Sequence, residues 1–190
     1  MPALRRPALL LDRDGVINVD RGFVSRLEDF AWMPGIFDVA RTATRLGMVI
    51  VVVTNQTGIG RGDYTEDDYR AVTAFMRERF EREDAALTAV YHCPFHPEAV
   101  EARYRAADHP WRKPRPGMLL AARDDLGLDL AASAMLGDRA ADLLAGHAAG
   151  VGALGLIGKA DISFDGVAKF ERFADLSPVP AWLERLVGSR

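Results

Sequence analysis

Residues 48–60 read MVIVVVTNQTGIG. The first six are apolar, mostly β-branched, and do not alternate with polar residues. Such a run suits a strand buried on both faces, as in a parallel sheet covered by helices. Residues 8–11, 89–91, 134–136 and 152–157 are further apolar runs that fit the same role. Segments of helical period lie between them. Ile36, Ala40, Ala43 and Leu46 share one face, and Gly47 closes that segment. Thr65 is suited to cap a helix whose apolar stripe is Tyr69, Val72, Met76 and Phe80. Residues 116–126 and 140–149 complete the set, and 180–187 predict a terminal amphipathic helix. Alternating β and α elements predict an α/β fold, a parallel sheet with helices on both faces.

The chain has 190 residues, 49% hydrophobic and 27% charged, with a formal net charge of -3 and a pI near 5.8. That size fits one domain over 1–190, with a motif-bearing core at about 8–157 and a tail at 158–190. The composition excludes general disorder. The acidic balance argues against nucleic acid or a membrane surface as a partner held by bulk charge. Cys93 is the only cysteine, so no internal disulfide can form, which fits a cytoplasmic setting. The apolar run after Arg5 and Arg6 is broken by Asp12 too early for a signal-peptide core, and no stretch approaches transmembrane length. A monomer is the expected state.

Candidate chemistry gathers after the predicted strands. In Leu11-Asp12-Arg13-Asp14-Gly15, two carboxylates two residues apart on extended chain point the same way. The pair suits a reaction that needs a nucleophile and a proton donor, and a divalent cation would relieve its repulsion. Thr54, Asn55, Gln56 and a Gly-rich turn at 57–60 offer hydroxyl, amide and backbone donors for phosphoryl oxygens. Arg112-Lys113-Pro114-Arg115 concentrates cations before a helix, and Asp138 in Gly137-Asp138-Arg139 is a natural metal ligand. Singly, these clusters read as a solvated turn, a loop, a charge run and a helix N-cap. Together they occupy the sheet edge where open α/β sheets bind ligands. The long polar segments 15–34 and 93–116 follow strands and should wall that site.

In this order, DRDGVIN, VTNQTGIGRG, RKPRPGM and GDRAAD resemble the four motifs of the haloacid dehalogenase superfamily. The nearest likeness is to its heptose bisphosphate and histidinol phosphatase group, and it runs from about residue 8 to 157. It includes Gly22-Phe23-Val24, Asp29-Phe30 and Pro34-Gly35. The resemblance implies a Rossmann-like fold of that superfamily without a large cap domain. It implies that Asp12 attacks phosphorus to form an aspartyl-phosphate, and that Asp14 protonates the leaving oxygen and then deprotonates water. Thr54 and Lys113 would stabilise the transferring group. Magnesium would be held by Asp12, the Asp14 carbonyl and Asp138, with Asp142 in support. Asp20, Arg21, Gly22, Asn55, Gln56 and Arg112 would meet the rest of a small phosphorylated substrate. Histidinol phosphate and a polynucleotide 3′-phosphate are the alternatives.

The chain departs from the family at one place. Zinc-binding members carry Cys-x-His and later Cys-x-Cys, and the matching positions here are Cys93, Phe95, His109 and Trp111. Cys93, His96 and His109 form another candidate set. It falls short of the four closed, mostly thiolate ligands of a structural zinc site. Magnesium is therefore the expected metal, with Phe95 and Trp111 packing where zinc would sit.

Overall fold

In the computed structural model, Leu9 and Leu11 of β1 (Ala8–Leu11) join one core layer, and Ala8 and Leu10 join another. β2 (Val49–Asn55) repeats the division, with Ile50 and Val52 in the first layer and Val51 and Val53 in the second. A strand whose side chains enter two cores must be apolar at every position, which is why neither run alternates. The structure describes residues 5–158, 166, 167 and 169–188. The rest of the tail predicted at 158–190 lies outside the described residues.

β1 and β2 lie beside β3 (Leu87–Cys93), β4 (Ala134–Gly137), β5 (Ala153–Ile157) and β6 (Glu171–Phe173). The sheet is parallel throughout and ordered β3-β2-β1-β4-β5-β6. The first layer is covered by α1 (Ile36–Arg45), α3 (Glu66–Arg82) and α6 (Val179–Gly188), and the second by α4 (Gly117–Leu126) and α5 (Ala140–Ala149). The predicted stripe of α3 is buried at Tyr69, Val72, Met76 and Phe80. Truncating a fully buried Phe80 to alanine would cost roughly 3–5 kcal/mol. Thr65 Oγ1 accepts from Asp68 N at 3.1 Å, and Asp68 Oδ2 accepts from Thr65 N at 2.8 Å, so the helix start is capped reciprocally.

The predicted fold class matches the observed architecture, with local corrections. β2 runs two residues further than 48–53, because Thr54 and Asn55 still pair with β3. β3 spans seven residues where three were predicted. β6 was not predicted: it has three residues and buries only Phe173, too little for a periodic signal. The turn expected at 57–60 is a short helix, α2 (Thr57–Arg61), which buries Gly58, Ile59 and Gly60 and ends at Gly62 in the left-handed conformation. Among the described residues, no helix is long and apolar enough to cross a membrane.

The chain leaves β1, winds out through β2 and β3, then returns to β4 on the other flank of β1. The carboxyl ends of β1, β2 and β4 therefore meet where the strand order reverses, the usual ligand position in such sheets.

Candidate active site

Asp12 is the first residue beyond β1, and its N–H donates to Leu136 O of β4 at 3.0 Å. Asp138 is the first residue beyond β4. Asp142 lies one turn into α5, where its Oδ2 accepts from Arg139 N at 3.0 Å. Asp12, Asp138 and Asp142 each bring an oxygen within 4.8 Å of the others, the only such acidic, histidine or cysteine group among the described residues. Gly15 permits this closeness. Its φ is +81°, and a Cβ there would lie 2.3 Å from Asp138 Oδ2.

Lys113 arrives from the segment between β3 and α4 and is 3% exposed. Its ammonium donates to Asp12 Oδ1 at 2.9 Å, Asp142 Oδ1 at 2.6 Å and Val53 O at 2.8 Å. Asn55 clamps the same residue by its backbone: Nδ2 donates to Lys113 O and Oδ1 accepts from Lys113 N, both at 3.1 Å. Burial works against the ammonium, but Asp12 and Asp142 outweigh it and hold the Lys113 pKa above its ordinary value. Burial pushes the Asp12 carboxyl up, with Lys113 opposing and Asp142 adding to the rise. Burial, then repulsion from Asp12 and Asp142, pushes Asp138 up to about 7.

These carboxylates outnumber the one ammonium among them. Asp142 spends one oxygen on Lys113 and the other on Arg139 N, whereas Asp138 Oδ1 is buried without a hydrogen-bond partner among the described residues. An orphaned buried acceptor beside two further carboxylates fits a hard divalent cation.

Asp14 is held from several sides. Arg13 Nη2 donates to both of its oxygens at 2.9 and 3.0 Å, Asn18 Nδ2 donates to Oδ1 at 3.0 Å, and Gln56 Nε2 donates to Oδ2 at 2.9 Å. Arg13 is 1% exposed and was missed in the sequence. A cation between two aspartates reads there as a solvated charge. Here it also donates from Nη2 to Val24 O at 3.0 Å, tying Asp14 to the loop after β1.

The cavity above these groups holds about 190 Å³. Asp12, Asp14, Asp20, Gly22, Asn55, Gln56, Arg112 and Lys113 line it, so these predicted residues converge. Thr54 and Asp138 are not in the lining. Thr54 is buried, and its Oγ1 accepts from Gln56 Nε2 at 2.9 Å. Arg21 is exposed and also outside the lining. Asp20 faces Gly22 N at 2.9 Å and Arg139 Nη2 at 2.7 Å. Arg112 Nε is buried without a hydrogen-bond partner among the described residues.

The long loops are not the only walls: Thr57 and Tyr64 from around α2, and Arg139 and Ala141 from the start of α5, also line the cavity. Cys93, His96 and His109 do not form a metal-sized group. Cys93 is in the core, His96 Nδ1 accepts from Glu98 N, and the His109 ring stacks on Phe95 with centroids 3.5 Å apart. Phe95 also packs edge-on against Tyr104, and Trp111 against Tyr91.

Known proteins share this arrangement of sequence and fold. Residues 110–157 match the HAD-hydrolase-like family model. The D-glycero-alpha-D-manno-heptose-1,7-bisphosphate 7-phosphatase of Burkholderia mallei is 48% identical over 160 residues, 84% of each chain. The D-glycero-beta-D-manno-heptose-1,7-bisphosphate 7-phosphatase of Escherichia coli K12 is 44% identical over 146 residues, 77% of this chain and 76% of its own. The crystal structure of D,D-heptose 1,7-bisphosphate phosphatase from B. bronchiseptica, complexed with magnesium and phosphate, superimposes with a TM-score of 0.82 at 26% identity. That match covers 94% of this chain and 98% of the other. The chain therefore belongs to the haloacid dehalogenase-like phosphatases, in the group of the heptose-1,7-bisphosphate 7-phosphatases.

Proposed function

We propose that this protein hydrolyses the 7-phosphate of D-glycero-D-manno-heptose 1,7-bisphosphate, with Asp12 as the nucleophile. Asp12 attacks phosphorus, an oxygen of its carboxylate forms the new P–O bond, and the bond to the sugar oxygen breaks. Asp14 gives that leaving oxygen a proton, then takes one from the water that attacks the aspartyl-phosphate. Phosphate leaves and Asp12 is regenerated. Lys113 keeps a fixed positive charge beside the attacking carboxylate, where phosphoryl charge also collects. Thr54 supports the same end of the site through its hydroxyl. Asp12, Asp138 and the Asp14 backbone carbonyl would hold magnesium, which supplies the divalent charge that screens these carboxylates from the incoming phosphoryl oxygens. Arg112 contacts the sugar or its second phosphate, for which its partnerless buried Nε is suited. Asp20 and Gly22, from the loop after β1, border the same substrate.

The observation that carries this reading is the convergence of Asp12, Asp138 and Asp142, with the buried Lys113 ammonium bridging Asp12 and Asp142. The relatives' names include both anomers of the heptose, so both belong in the assay. Phosphate release should be measured with magnesium on the α and β heptose bisphosphates, histidinol phosphate and p-nitrophenyl phosphate. One heptose anomer should give the highest kcat/KM. Higher kcat/KM on histidinol phosphate than on either anomer would refute the substrate assignment.

A further inference from the structure

The Gln56 side chain is 2% exposed, and both ends of its amide are used. Nε2 donates to Asp14 Oδ2 and Thr54 Oγ1, each at 2.9 Å, and Oε1 accepts from the Tyr64 hydroxyl. A carboxamide can sit either way round, and only one orientation serves Asp14. Flipped, it would set its oxygen against a carboxylate oxygen at hydrogen-bond distance. Tyr64 is 7% exposed, and its hydroxyl marks the oxygen end. The phenol is a dependable donor, because burial raises its pKa, with nearby Arg13 opposing the rise. Its seat is shaped for it: a Cβ at Gly58 would lie 2.2 Å from Tyr64 Cε1, and Phe23 packs beside the ring at 6.1 Å between centroids.

We infer that Tyr64 and Gln56 are positioning residues for proton transfer, Tyr64 fixing the Gln56 amide so that its NH2 group holds Asp14 toward the leaving-group oxygen. Neither touches the reacting phosphorus in this assignment. It differs from the sequence reading of Gln56 as a substrate contact, and it rests on Asp14 being the general acid as proposed above.

Leaving-group chemistry separates this role from plain structural support. Loss of the sugar alkoxide needs a proton in the transition state, whereas p-nitrophenolate departs without one. The quantity to compare is kcat/KM, which reports the steps through the first departure and omits hydrolysis of the aspartyl-phosphate. Tyr64→Phe should lower kcat/KM on heptose bisphosphate about tenfold, as expected for a lost hydrogen bond within a charged network. Its loss on p-nitrophenyl phosphate should be several-fold smaller. Gln56→Met, similar in length and apolar, should show the same split at greater amplitude. The double variant should be no worse than Gln56→Met alone, since Tyr64 acts through Gln56. Equal losses on both substrates, no loss, or additive losses in the double variant would each overturn the inference. Should Gln56→Met fail to fold, the Tyr64→Phe split decides alone. Asp14→Asn tests the underlying reading separately. If it spares p-nitrophenyl phosphate and the Tyr64 and Gln56 variants show no split, the positioning role fails and the general acid stands. If it depresses both substrates equally, the general-acid assignment itself fails.

Discussion

Replacing Lys113 by methionine removes a buried positive charge while keeping most of the side-chain volume. The ammonium lies 2.9 Å from Asp12 Oδ1 and 2.6 Å from Asp142 Oδ1, and all three side chains are buried. Each contact is worth roughly 6 kcal/mol of gross Coulomb attraction at an effective dielectric of about 20. Desolvation of the charges opposes most of that. The net cost of breaking a buried pair by removing one partner is about 3–5 kcal/mol. In a chain of this size each kcal/mol moves the Tm by roughly 2–4 °C, so Lys113→Met should melt about 6–20 °C below wild type near pH 8. The sign with pH is fixed. Burial already raises Asp12, and losing Lys113 raises it further, so the folded variant binds protons more tightly than the unfolded chain. The variant's stability therefore falls as pH rises, and its deficit should shrink toward pH 5. Circular-dichroism melts across that range, in chelator, would measure it. A Tm within about 2 °C of wild type at pH 8, or a deficit that widens in acid, would refute the account of Lys113 as the counter-charge of this cluster.

Other changes probe the rest of the site. Gly15→Ala places a Cβ 2.3 Å from Asp138 Oδ2 on a backbone with φ +81°, so phosphate release should drop by about a hundredfold, as a roughly 1 Å misplacement can cause; activity within twofold of wild type would show that the loop yields. Chelation should abolish turnover and added magnesium restore it. In chelator, Asp138→Asn should melt higher than wild type above about pH 7. The raised Asp138 pKa means wild type loses stability as pH climbs from the ordinary carboxyl range through that value, so the gap should close in acid. A variant no more stable than wild type at pH 8 would contradict the crowding of charge at Asp138. Arg112→Ala should lower kcat/KM on heptose bisphosphate by roughly ten- to a hundredfold and on p-nitrophenyl phosphate far less. Equal losses would return Arg112 to a structural role.

The parts of this site that read directly from the sequence are those whose side chains sit at strand ends. Asp12 and Asp138 each follow a fully buried apolar run, so the strand fixes where the carboxylate emerges. Lys113 was legible only through its motif, because no local pattern shows that a residue from the segment before α4 will fill the gap between Asp12 and Asp142. Arg13 and Tyr64 were not legible. An arginine between two aspartates is ordinarily solvated, and only the folded loop shows it buried against Val24 O and Asp14. Tyr64 follows a glycine-rich stretch with poor helix propensity, yet packing of Ile59 and the Gly62 cap make α2, which brings the phenol back over Gln56. Histidines in the segment after β3 suggested metal chemistry by composition alone. The ring of His109 instead lies flat on Phe95, a contact that depends on the path of a long loop.

The central claim is that Asp12 carries the phosphoryl group. An aspartyl-phosphate is reducible by borohydride, whereas a free carboxylate is not. Wild-type enzyme turning over heptose bisphosphate with magnesium should be quenched rapidly into borohydride, digested, and mapped by peptide mass spectrometry. Reduction confined to position 12, dependent on both substrate and metal, is the predicted result. Undiminished turnover with reduction at another carboxylate, or with none at all, would contradict it.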